Sequence, residues 1–291
     1  MTRIINALAE VSDKYAAVFC DLWGCLHNGV EPFPQAVCAL QNYRAGGGIV
    51  VLLTNAPRHQ GSVEKQLSNM NLPRNSWDMI VSSGDAARDA MFRGIVGQKV
   101  WFMGEKHDLS FFDPIPGMAD PKAIEQVELA QAEGIVCCGP FDPFADPDTL
   151  RPELLFAKQK GMKLLCANPD LVVDRGETRE HCAGAVAALY TEMGGESLYF
   201  GKPHPPIYDL ARTRLAALGR DITNARILAI GDGINTDISG AMGEDIDSLF
   251  VTGGLAATET KTDQNGPDPE ATKAFIAAHM ISPNYVAGWL R

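Results

Sequence analysis

Three short apolar runs that each stop at a polar turn, Val18 to Asp21, Ile49 to Thr54 and Ile227 to Ile230, constrain this chain more than any other feature. Their β-branched residues read as strands, and the helix-like segments between them spell βαβ units and a parallel sheet. The first third carries an expected helix near 35–45, a second over 61–69, a strand at 79–82, a helix over 85–93 and a strand at 100–103. Turn-rich stretches at Asp113-Pro114-Ile115-Pro116-Gly117 and Pro140-Phe141-Asp142-Pro143 then mark a second packing unit, with expected strands at 134–138 and 163–167. The last third returns to the first pattern: a strand at 227–230, a loop at 231–235, a helix through Met242 and a strand at 248–252.

Composition narrows the partners. A chain of 291 residues, 46% hydrophobic, is long enough for about two domains. A net charge of -11 without a basic cluster argues against nucleic acid or an anionic membrane. No apolar run nears the roughly 20 residues of a membrane span. Met1 to Tyr15 carries Glu10 and Asp13 and lacks a signal peptide's apolar centre, so the expected location is the cytoplasm. The seven cysteines show no C-x-x-C spacing; they read as reduced, mostly buried small hydrophobes, and zinc is not expected of them.

Four loops carry the chemistry: Asp21 to Leu26, Thr54-Asn55-Ala56, Gly201-Lys202-Pro203, and Gly231-Asp232-Gly233-Ile234-Asn235-Thr236-Asp237. In an open α/β sheet such loops meet at the carboxyl edge, where ligands bind. Asp21 is suited to nucleophilic attack and to holding a metal, and Asp232 supplies a second hard oxygen for Mg²⁺. The Trp23 carbonyl is a candidate third ligand, and Gly24 lets the backbone turn tightly around the attacked group. Thr54, Asn55 and neighbouring amides are candidates for holding phosphate, and Lys202 for offsetting the accumulated negative charge. Asp237, near a helix start, is placed to cap that turn and to orient Lys202 or a metal-bound water.

Taken in order, these segments resemble the haloacid dehalogenase superfamily, whose first motif is typically Asp-x-Asp-Gly-Thr/Val, and within it the class IIA branch of NagD-like and 4-nitrophenylphosphatase-like hydrolases. Leu53-Thr54-Asn55 is similar to the branch's Thr-Asn motif, Gly201-Lys202-Pro203 to its lysine motif, Gly231-Asp232 with Thr236-Asp237 to its acidic motif, and Ala167-Asn168-Pro169-Asp170 to its cap loop. The resemblance implies an α/β protein with a Rossmann-like core and mainly parallel sheet, built from residues 1–105 and 198–291 and interrupted by a smaller α/β cap at 106–197. It further implies Mg²⁺-dependent hydrolysis of a small phosphorylated metabolite through an aspartyl-phosphate. A homodimer is left open.

Trp23 departs from that pattern. In the phosphatases of the superfamily, the second aspartate of the first motif protonates the leaving alcohol and then activates water, and an indole does neither. Two alternatives therefore stand beside the phosphatase: a phospho-ligand sensor of the same fold that no longer hydrolyses, and a metal-independent dehalogenase. Trp23 itself reads as a core aromatic over the metal loop or as a stacking surface for substrate. His27 reads as a partly buried turn histidine or as the substitute acid or base. Asp170 and Arg175, with Arg179 and His181, form a polar run that reads either as a solvated face or as a reader of the substrate's other end. The stretch Cys182 to Leu189 reads as a packed helix.

Overall fold

Strand Ile49–Thr54 is buried along its whole length, as are Ala17–Cys20 and Ile227–Gly231. Each fully buried aliphatic side chain contributes about 1.5–3 kcal/mol, so these runs have nowhere to go but the middle of a covered sheet. In the computed structural model, which describes residues 2–175 and 178–291, they do so. One seven-stranded sheet has the order Arg3–Ile4, Tyr285–Ala287, Asp247–Val251, Ile227–Gly231, Ala17–Cys20, Ile49–Thr54 and Met79–Ser82. The pairings from Arg3–Ile4 through Ile49–Thr54 are parallel.

The helices are bounded by local chemistry. Pro34 opens helix Pro34–Ala45 at a position where a missing N–H costs nothing, and the glycines from 46 to 48 end it, with Gly47 at φ +92°. The Ser82 hydroxyl accepts the Asp85 N–H at 3.0 Å and starts helix Ser83–Phe92. Asp268 accepts the Ala271 N–H at 2.7 Å and starts Pro269–Ala278.

The chain divides into two compact units. The first comprises 1–54, 64–81 and 208–291 and contains the seven-stranded sheet; the second comprises 55–63 and 82–207. The second unit has a five-stranded parallel sheet in the order Glu196–Tyr199, Lys163–Cys166, Gly134–Cys137, Lys99–Met103, Glu125–Gln126. Met103, Ile135, Leu164 and Cys166 pack there against Ala183, Val186 and Tyr190 of helix Ala183–Glu192, the packed helix expected from Cys182 to Leu189. The strand expected at 100–103 therefore belongs to this second sheet, since its hydrogen-bonding partner is Gly134–Cys137. The unit accordingly begins before 106 and extends past 197.

The polar run after Asp170 is an antiparallel hairpin, Val172–Arg175 against Thr178–His181, with Arg179 opposite Asp174. Arg175 lies in this hairpin; its side chain is outside the described structure. All seven cysteines are free thiols, six buried and Cys38 exposed. Among the described residues no helix is long and apolar enough to cross a membrane.

Candidate active site

Asp21 and Asp232 are brought together by register. Ile230 stands opposite Cys20 in adjacent parallel strands, and the Asp21 N–H donates to the Ile230 carbonyl at 2.8 Å. Each aspartate therefore leaves the carboxyl edge of its strand beside the other. Both are nearly buried, Asp21 at 9% and Asp232 at 5% exposure. One carboxylate oxygen from each, together with the Cys25 sulfur, falls within a 4.8 Å cluster. Thr54 ends the next strand of the same sheet and is buried at the same edge.

The Asp232 carboxylate is boxed in by glycine. A Cβ on Gly24 would stand 2.0 Å from Asp232 Oδ2, and a Cβ on Gly254 would also stand 2.0 Å from it. Gly24 also holds φ +70°, a conformation that suits glycine in the turn after Asp21. The Leu255 N–H donates to Asp232 Oδ2 at 2.9 Å and fixes that oxygen from the loop after Asp247–Val251. Two hard, buried oxygens held this closely fit a divalent cation of the Mg²⁺ type, whose charge compensates two carboxylates out of water.

Asp237 sits in a π-helical turn, Ile234–Ile238, in which the Ile238 N–H reaches the Gly233 carbonyl at 3.1 Å. Its Oδ2 accepts the Gly233 N–H at 3.1 Å, so it caps this turn. A Cβ on Gly231 would lie 2.0 Å from Asp237 Cγ, which makes glycine a requirement there.

Trp23, half-buried, packs against the fully buried His27. The rings meet edge to face with centroids 5.2 Å apart, and the indole lies so close over Gly29 that a Cβ there would fall 2.2 Å from its Cη2. His27 is at 0% exposure, more deeply buried than a turn histidine need be. Its Nδ1 accepts the Gly29 N–H at 2.9 Å, which leaves the proton of the neutral ring on Nε2, an atom buried without a partner. Burial lowers its pKa to about 4. A ring neutral at pH 7 is a weak proton donor to a leaving group.

The same burial sets a pH dependence. The folded pKa is depressed, so the unfolded chain binds the extra proton between about pH 6.5 and 4. Stability is fully present above about pH 6.5 and falls by roughly 3 kcal/mol as the pH drops to 4. Urea titrations at pH 7, 6 and 5 should show this slope in the wild type and not in His27→Gln; equal slopes would remove His27 as its source.

The second unit contains its own polar cluster. Asn55 Oδ1 accepts the Lys202 N–H at 2.7 Å, and Asn55 Nδ2 donates to the Lys202 carbonyl at 3.0 Å and to Asp170 Oδ1 at 2.8 Å. Both amide hydrogens are thus committed to protein partners, so the Asn55 side chain acts on Lys202 as a clamp. Asp170 is drawn into the same cluster. Gly201 must be glycine for this contact, because a Cβ would lie 2.4 Å from Asn55 Oδ1. The Lys202 side chain belongs to a residue only 2% exposed. His204 stacks on Tyr199 at 4.7 Å, and burial lowers its pKa.

Cys25 is the residue that the sequence reading missed. Burial, then the charges of Asp232 and Asp21, push its thiol well above the usual range. The available signal was its position one residue after Gly24 in the nucleophile's own turn.

Comparison with known proteins agrees with this architecture. A haloacid dehalogenase-like hydrolase family model matches residues 18–114, and a second HAD-hydrolase-like model matches 199–279. The crystal structure of a haloacid dehalogenase-like hydrolase from Brucella suis 1330 is 34% identical, covers 99% of this chain and 100% of that one, and superposes with a TM-score of 0.85. The 4-nitrophenylphosphatase of Thermotoga maritima shares the fold at 18% identity, 95% coverage of each chain and a TM-score of 0.70. Among curated proteins, the D-glycerol 3-phosphate phosphatase of Mycobacterium tuberculosis is 25% identical over 250 residues. That match covers 85% of this chain and 66% of the mycobacterial enzyme, just under two-thirds of its length.

Proposed function

The chain belongs to the haloacid dehalogenase-like hydrolase family, and from that premise we propose that it is a Mg²⁺-dependent phosphatase of a small phosphorylated metabolite. The observation that carries the reading is the buried pair Asp21 and Asp232, whose oxygens lie close enough to share one cation. Asp21, Asp232 and the Trp23 carbonyl would hold that ion, which when bound offsets the charge of the carboxylates and polarises a phosphoryl oxygen.

Asp21 attacks phosphorus: a carboxylate oxygen forms the new P–O bond as the bond to the leaving oxygen breaks, giving an aspartyl-phosphate that water then hydrolyses. Buried Thr54, at the edge of the same sheet, offers a hydroxyl to phosphoryl oxygens. For Lys202 the Gly-Lys-Pro motif implies a charge-offsetting role, and its backbone is held by Asn55 within its own unit. Asp237 keeps the acidic turn in shape through Gly233.

With Trp23 at the acid's place, preferred substrates are those whose leaving group departs without a proton, such as acyl and aryl phosphates. Positioned acid catalysis is worth about 10²–10⁴ in rate, and simple alkyl phosphates should lag by that order. A panel of acyl, aryl and alkyl phosphates assayed with Mg²⁺, then with EDTA, tests this. We expect turnover in the first two classes, lost on chelation. Turnover indifferent to EDTA would overturn the metal assignment. A melting temperature raised by Mg²⁺ with phosphate, without hydrolysis of any substrate, would identify a binding protein instead.

A further inference from the structure

Cys25 has no part in the proposed hydrolysis, yet its sulfur shares the 4.8 Å cluster with the Asp21 and Asp232 oxygens, and all three residues are buried. We infer that this triad is a mixed sulfur and oxygen trap for borderline and soft divalent cations, Zn²⁺ and Cd²⁺, which seat on the two carboxylates and take Cys25 as a ligand that Mg²⁺ does not use. The competition with Mg²⁺ rests on the reading of Asp21 and Asp232 as holders of a hard cation.

Ligand atoms about 2.0–2.3 Å from a common zinc lie roughly 3–4 Å apart, so a set already gathered within 4.8 Å closes on an ion with little movement. The loop that carries the thiol is set by backbone hydrogen bonds, Leu26 N–H to the Leu22 carbonyl at 2.8 Å and Gly24 N–H to the His27 carbonyl at 3.0 Å. Asp232 is hemmed in by Gly24 and Gly254 and stays where Cys25 meets it. Mg²⁺ demands oxygen donors and retains waters, whereas sulfur donors select Zn²⁺ and its heavier congener. Binding exchanges the S–H bond for a sulfur–metal bond and releases that proton to solvent. Among the described residues no other group of three His, Cys, Asp or Glu ligand atoms closes to this spacing. The same pocket therefore works with a hard ion and is blocked by a soft one.

The test uses the full chain carrying Cys38→Ser, which removes the exposed thiol. Cd²⁺ is titrated while the ultraviolet thiolate-to-metal charge-transfer absorption is followed. The band should saturate at one equivalent, be displaced by excess Mg²⁺, and vanish in Cys25→Ser, for which calorimetry should give a Cd²⁺ Kd at least about 10-fold weaker. Should that variant not fold, Zn²⁺ X-ray absorption on the parent protein should find one sulfur at about 2.3 Å beside oxygens at about 2.0–2.2 Å. A band that survives Cys25→Ser, or a shell of oxygen and nitrogen alone, overturns the trap. A sulfur signal that Mg²⁺ never displaces, in a protein whose melting temperature Mg²⁺ does not raise, keeps the trap and removes the hard-cation reading. Mg²⁺ stabilisation without any sulfur signal does the reverse.

Discussion

Asp21→Asn should lower turnover of every phosphorylated substrate by at least about 10⁴-fold, the scale on which loss of a covalent nucleophile is felt. The substitution is nearly isosteric. It leaves the backbone bond from Asp21 to Ile230 intact and keeps one oxygen facing the cluster with Asp232. The fold should persist, and circular dichroism and the melting temperature should confirm it. Rapid-quench experiments with a radiolabelled phosphate ester should trap label on the wild-type protein and none on the variant. Full turnover by Asp21→Asn would place the nucleophile elsewhere and leave the acidic pair a binding role alone.

Trp23→Asp should act in the opposite direction. If the absent acid is what holds alkyl phosphates back, the variant gains about 10²–10⁴ in kcat on them and far less on acyl phosphates, whose leaving group needs no proton. The gain comes with a loss of packing. The half-buried indole covers Gly29 and meets the His27 ring edge-on, and removing it costs about 1–3 kcal/mol. It also places a carboxylate beside a histidine whose folded pKa is about 4 only because its surroundings are apolar. The His27 pKa should rise in the variant, which nuclear magnetic resonance of the ring protons would follow. An unchanged ratio of alkyl to acyl turnover in a folded variant would show that the missing aspartate is not the limiting element.

The acidic pair was legible in the sequence because each aspartate follows an unmistakable apolar strand, and the two strands turn out to be neighbours in the sheet. Long buried runs declare themselves; short or blunted ones do not. Arg3–Ile4 and Tyr285–Ala287 are two and three residues long, and Glu196–Tyr199 starts on two polar residues, so none rises above its surroundings. Lys99–Met103 was recognisable as a strand, but an apolar run does not say which of two sheets it will join; its partner at 134–137 decides that. The polar run near 175 hid a hairpin because its sequence carries no strong apolar alternation. Side-chain duties were hardest to read. Cys25, taken as a small hydrophobe, faces two carboxylates, and Asn55 spends its amide on Lys202 and Asp170. Both outcomes depend on at least one partner more than 100 residues away along the chain.

The Asn55 clamp also bears on how the protein ages. Hydrolytic deamidation would change one atom's worth of mass while turning both donors at that position into an acceptor that faces the Lys202 carbonyl and the Asp170 carboxylate. Two attractive contacts would become repulsive, one of them buried and the other, to Asp170, half-buried. A slow chemical lesion at a single amide would thus loosen the backbone of the lysine while leaving Asp21 and Asp232 chemically unchanged.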